Sequence, residues 1–198
     1  LSDGDDIIIQ TEDGSGGVAN YLQFDGGGRI MRAYKAFRVQ DDVKLQAGSS
    51  GDLDIKHSSN NSYIENHTGH LYVTNTADDS DITFRTDDGS GGVTKYFQLD
   101  GGLADGTNLY TVFPDNSRIR FGDGLDLDIH HDGSNSYISQ TGTGNLNIQQ
   151  TVDDGDIIFK CDDGSGGTTQ YFRFDGGLAH SVASKHIRFG DNVIARFG

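Results

Sequence analysis

The chain has 198 residues, 29 of them Gly, with a single Pro, a single Cys, a single Met and no Trp. Glu12 and Glu65 are its only Glu, so almost all of its 30 acids are Asp, and with 15 Lys and Arg the net charge is −15. This excludes a mainly helical protein, because Asp and Gly favour turns over helices, and it argues against nucleic acid and anionic membrane surfaces, which repel an acidic chain. In chain order, residues 29–38 (RIMRAYKAFR) hold the only candidate helix, a short one. After that the apolar residues alternate with polar ones: Ile82, Phe84 and Thr86, then Phe97 and Leu99, then Ile119 and Phe121. The same period continues through Leu125, Leu127 and Ile129 and through Leu146 and Ile148. Strict alternation predicts short strands with one buried and one wet face, separated by Gly, Asp, Asn and Ser turns.

Three segments align without gaps: residues 6–27 (DIIIQTEDGSGGVANYLQFDGG), 81–102 (DITFRTDDGSGGVTKYFQLDGG) and 156–177 (DIIFKCDDGSGGTTQYFRFDGG). A second module, residues 44–64 (KLQAGSSGDLDIKHSSNNSYI), matches residues 118–138 (RIRFGDGLDLDIHHDGSNSYI), and a shortened copy opens at His186. The chain therefore reads as repeat unit 1 (1–75), repeat unit 2 (76–150) and a partial unit 3 (151–198), each full unit holding about six short strands. The apolar content is thin for the length, and free strand edges invite pairing. Three copies wrapped around one axis would cover both. The expected fold is thus all-β, a repetitive fibre of 75-residue units in an intertwined homotrimeric β-rod, with a single-chain β-solenoid as the alternative. No apolar run suits membrane insertion, and no disulfide framework is possible with one Cys. Leu1 stands where an initiator Met would, and no signal-peptide pattern opens the chain, which fits a fragment.

The run FGDGLDLDIHHDGSNSYI (121–138), followed by GTGNLNI (142–148), resembles repeats of fibre-type virion proteins of marine tailed phages, including cyanophages, and the DDGSGG-x-x-x-Y-F segments occur in similar company. The resemblance covers most of the chain. It implies a non-enzymatic structural component of a phage fibre, a tail-fibre shaft or spacer. Such a component sits in the virion, an extracellular particle made in the host cytoplasm, with itself and other virion proteins as partners. It carries over no catalytic, cofactor or metal residue. The first unit departs from the motif: Ser58-Ser59-Asn60-Asn61 stands opposite Asp132-Gly133-Ser134-Asn135, and Ala47 replaces Phe121, which counts against the Asp132 loop as an obligatory site.

Several clusters invite a chemical reading beside a structural one. The loops Asp87-Asp88-Gly89-Ser90-Gly91-Gly92 and Asp162-Asp163-Gly164-Ser165-Gly166-Gly167 are Ca²⁺ candidates, as paired carboxylates suit a hard cation, or hairpin turns that use Gly for positive φ. The run Gly122 to Asp128 resembles one Ca²⁺-binding β-roll repeat, but such sites need tandem copies of roughly nine residues. Asp126 and Asp128 need a cation between them or a partner such as Arg118 or Arg120. Of the seven His (57, 67, 70, 130, 131, 180 and 186), His57 and His131 are equivalent, and a residue near a three-fold axis appears three times, enough for a His₃ site; the plain reading is polar strand ends. Cys161 takes the place of Thr11 and Thr86, which fits packing rather than a nucleophile.

Tyr21, Tyr96 and Tyr171 are equivalent, as are Tyr63 and Tyr137; repetition favours packing, and stacking on sugars is the alternative. Asn60 and Asn66 fit the glycosylation sequon without consequence in a bacterial host. A catalytic site needs different groups converging once, whereas nearly every polar cluster here recurs, so no enzyme, including a depolymerase, is expected. The alternative function is a receptor-binding module for host cell-surface glycan, in the non-repeated stretches 28–40, 104–116 (with Tyr110 and Phe113) and 179–185.

Overall fold

The computed structural model describes residues 4–191 and 193–196. Two compact units are present, Leu1–Asn75 and Thr76–Gly198. The protein is all-β: fifteen strands in five antiparallel three-stranded sheets, with no helix and no closed sheet among the described residues. It follows that no helix is long and apolar enough to cross a membrane.

In the first unit, β1 (Ile7–Glu12), β2 (Val18–Asp25) and β3 (Ile30–Ala33) form one sheet. The strands β4 (Leu45–Ala47), β5 (Leu53–Ser58) and β6 (Asn61–Asn66) form the other. In the second unit the sheets are β7 (Ile82–Asp87), β8 (Val93–Asp100) and β9 (Tyr110–Val112); β10 (Ile119–Phe121), β11 (Leu127–His131) and β12 (Ser136–Gln140); and β13 (Ile157–Asp162), β14 (Thr168–Asp175) and β15 (His180–Ala183). The period-2 reading holds for most of the predicted strands. Residues 29–38 are not helical, since β3 occupies their first half. Leu146 and Ile148 lie outside any strand, and Leu125 sits in a turn at φ 55° rather than on β11. The third strand of each sheet, β3, β6, β9, β12 and β15, lies outside the alternating runs and their repeats.

The registers of the three matching hairpins agree. Ile7 faces Phe24 and Ile9 faces Leu22; Ile82 faces Leu99 and Phe84 faces Phe97; Ile157 faces Phe174 and Phe159 faces Phe172. Each hairpin then slips by one residue, between Ile9 and Gln10, Phe84 and Arg85, and Phe159 and Lys160. The unpaired residue is Tyr21, Tyr96 or Tyr171. These repeated tyrosines are therefore bulge residues, re-aimed out of the alternation. The Tyr96 hydroxyl donates to the Asp87 carbonyl at 2.9 Å, and the Tyr171 hydroxyl to the Asp162 carbonyl at 3.1 Å.

Directly paired residues share a face, so register sorts the side chains. One face of each sheet is apolar: Ile7, Phe24 and Met31; Leu45, Ile55 and Ile64; Phe84 and Phe97; Ile119, Ile129 and Ile138; Phe159 and Phe172. Aromatic rings stack along it, with Phe84 and Phe97 at 4.5 Å and Phe97 and Phe113 at 5.6 Å. Within each unit no strand touches a strand of another sheet, and no hydrophobic side chain is buried among the described residues. The accessible surface is 16155 Å². A compact monomer of this mass exposes about 9,000 Å².

Candidate functional site

The buried side chains among the described residues are Asp54, Gln98, Asp128 and Asp175, all on polar sheet faces. Long neighbours laid over them do the burying. Asp54, at 0% exposure, is the second residue of β5. Lys44 Nζ lies 2.6 Å from its Oδ2 and His67 Nε2 2.9 Å from the same oxygen, while Gln46 Nε2 donates to Oδ1 at 2.9 Å. The Lys44 hydrogen bond, helped by Gln46 and His67, holds the Asp54 carboxyl well below the usual carboxylate range, and Asp54 in turn raises Lys44.

Asp128, the equivalent residue on β11, is held by a different set. Arg118 Nη1 and Arg120 Nε both donate to Oδ2 at 2.9 Å. His130 Nδ1 is 2.6 Å from Oδ1 but outside hydrogen-bond geometry. Burial pushes this carboxyl up; the two arginines, with His130 beside them, outweigh burial and bring it down to about 2. Asp128 thus has the Arg partners its wet-face position required. Asp126 does not share that face: it lies before β11, and its Oδ1 accepts the Thr143 amide at 3.0 Å.

In the DGSGG loops one oxygen of each carboxylate is engaged within the loop itself. Asp88 Oδ1 accepts the Ser90 amide and hydroxyl at 2.8 and 2.7 Å and the Gly92 amide at 3.0 Å; Asp163 repeats this with Ser165 and Gly167, and Asp13 with Ser15 and Gly17. The neighbouring acid is used as well: Asp87 accepts from Gly89, Asp162 from Gly164, and Glu12 from Gly16. The Ser90 hydroxyl and amide contacts, with the Gly92 amide, lower Asp88, and Asp13 and Asp163 are lowered the same way. These are hairpin turns tied by an Asp side chain.

The histidines are scattered. His57 and His131 occupy matching strand ends, with Nδ1 3.0 Å from Ser62 Oγ and 3.1 Å from Ser136 Oγ. His130 stacks on Tyr137 at 4.8 Å, and His70 meets Tyr72 edge-on. Among the described residues, one group has metal-ligand spacing: Asp54, Glu65 and His67, with ligand atoms within 4.8 Å of one another. A cation there would have to displace Lys44 from Asp54, so the donor set reads as an ion-pair clamp. Cys161 is exposed on β13, opposite Thr169.

Sequence reasoning missed the Asp54 clamp, because its members lie on and beside three different strands and only strand pairing brings them together. A signal was available: Lys44 aligns with Arg118 and Asp54 with Asp128, so charge complementarity recurs at matched positions. It also missed a cavity of about 380 Å³ in the second unit, lined by Lys95, Tyr96, Pro114, Ser117, Arg118 and Arg120 among others. No family model, curated protein or solved structure matches the chain.

Proposed function

We propose that the chain is a structural, non-enzymatic segment of a virus-particle fibre, a shaft or spacer, assembled as an intertwined homotrimer of 75-residue units. The observation that carries the assembly is the apolar face of each sheet, which within its own unit packs on no other sheet, with no apolar side chain buried among the described residues. Half-exposed Phe and Ile faces are unstable in water, at roughly 1.5–3 kcal/mol for each large side chain that finds cover. Neither unit supplies a second layer for its own sheets among the described residues, so a second copy is the natural one. Three chains about an axis close the sheet edges as well, which a pair of single layers leaves open. The virion assignment rests on the resemblance of residues 121–148 to phage fibre repeats. In that setting the function is mechanical: interleaved strands supply length and stiffness, and surface Asp keeps fibres soluble and apart.

The test is the native mass by light scattering, paired with mass spectrometry of purified virus particles. Three times 21.3 kDa and presence of the peptide in the particle are expected. A monomer at micromolar concentration would refute the intertwined trimer, and absence from the particle would refute the virion assignment.

A further inference from the structure

The cavity beside Tyr96 has a lining unlike the rest of the chain. Lys95, Arg118 and Arg120 line it together with Asp88 and Asp115, and both arginines are ion-paired with Asp128, so cations match acids there in a protein whose acids outnumber its cations 30 to 15. Both arginines are held in place: each gives one N–H to Asp128 Oδ2 at 2.9 Å, Arg118 Nη1 also lies 3.5 Å from His130 Nδ1, and each five-donor fork has further N–H groups beyond these contacts. Tyr96 is held too, by its hydroxyl bond to Asp87 and by Ser117 Oγ, which donates to the Tyr96 carbonyl at 2.6 Å. The turn through Pro114 is closed by the Ser117 amide on the Pro114 carbonyl at 2.9 Å and the Asn116 amide on the His131 carbonyl at 2.8 Å.

Two fixed guanidinium forks with spare donors match a carboxylate or another oxyanion. A fixed aromatic wall beside Asp and Asn side chains matches the C–H face and the hydroxyls of a sugar ring. We propose that this cavity binds a saccharide that carries a carboxylate, a uronic-acid unit.

The protein contains its own controls. In the first unit Tyr21 is kept, but Asn20 replaces Lys95, Val43 replaces Ser117, Lys44 replaces Arg118 and Gln46 replaces Arg120. The corresponding cavity at Tyr171 is lined by Lys185 and His186 and by no arginine. One site per chain is therefore expected. The site lies within a single chain, so it stands or falls independently of trimer formation.

Isothermal titration of the full chain with trigalacturonate, with the neutral galactose trisaccharide and with inorganic phosphate tests the proposal. Trigalacturonate should bind once per chain, and the neutral sugar and phosphate should each bind at least about tenfold more weakly. The double variant Arg118→Lys/Arg120→Gln copies the pair that holds Asp54 in the first unit and so keeps the clamp; it should lose roughly tenfold or more in affinity, the effect of one or two charge-assisted hydrogen bonds. Tyr96→Ala should lose a similar factor. No binding of trigalacturonate at millimolar concentration, unchanged affinity in the folded double variant, or phosphate binding as tight as the sugar would each overturn it.

Discussion

Replacing Ile138 by Ala separates a face exposed in solution from a face covered by other copies. Ile138 pairs with Ile129, which pairs with Ile119, and together they form the apolar stripe of the β10–β11–β12 sheet. Its exposure within one chain is 63%. About a third of the side chain is covered by its own sheet, so in an isolated chain the substitution costs about 1 kcal/mol or less. Under a second layer the same change removes a buried side chain and leaves a cavity, costing about 2–5 kcal/mol. The assay is thermal unfolding by circular dichroism at two protein concentrations tenfold apart. Leu109→Ala, outside any strand and 85% exposed, is the reference and should stay within about 0.5 kcal/mol of wild type. The expected result is a large loss for Ile138→Ala and a melting temperature that rises with concentration, as for any assembly-linked fold. A loss equal to that of Leu109→Ala, with no concentration dependence, would refute the covered face.

Calcium and EDTA should leave the melting temperature unchanged, because one oxygen of each loop Asp is already engaged by Ser and Gly donors that fix the turn without a cation; a rise of several degrees in calcium would restore the metal reading. The Asp carboxyls predict an acid limb. Asp105, whose carboxyl takes the Asn108 and Thr107 amides, and Asp128 are each lowered from 3.8 to about 2 in the folded chain. A depressed folded value means that their contribution is complete above about pH 4 and is lost as pH falls towards 2. Asp105→Asn should flatten that limb in a urea-midpoint series against pH, and an unchanged slope would contradict the assignment. Gly101→Ala should destabilise by about 1–3 kcal/mol, since a Cβ there would lie 2.5 Å from the Ser80 carbonyl oxygen; chemical denaturation measures it.

Much of the fold was legible because strands leave a period-2 trace, and because three copies of one segment report the same pattern three times. The all-β class and most strands follow from that alone. What the alternation could not reveal was where it breaks. The bulge at Tyr96 is a backbone slip, visible only once Lys95 rather than Tyr96 is seen opposite Arg85. The run from Leu146 to Ile148 keeps the alternation but finds no partner strand, since periodicity records a preference and pairing needs a neighbour. The site was less legible still. The sequence offers Arg118 and Arg120 as partners for Asp128, yet nothing in the linear spacing places Lys95, twenty-odd residues earlier, on the same cavity.

The division of the sheets into an ion-paired polar face and an apolar face sets the sign of one last effect. Each chain carries a net charge of −15, so bringing copies together costs repulsion. That cost grows as salt is removed, because the screening length rises from roughly 8 Å at physiological salt to about 30 Å at 0.01 M. The ion-pair clamps at Asp54 and Asp128 respond in the opposite sense, since salt weakens pairs with exposed partners. If apolar contact between copies drives the assembly and like charge opposes it, sedimentation at 0.01 M salt should show more dissociated chain than at 0.15 M. If instead exposed ion pairs joined the copies, dilution of salt would tighten the complex. A mass that holds at low salt and falls at high salt would therefore place the contacts on the polar faces and overturn the assignment of the apolar ones.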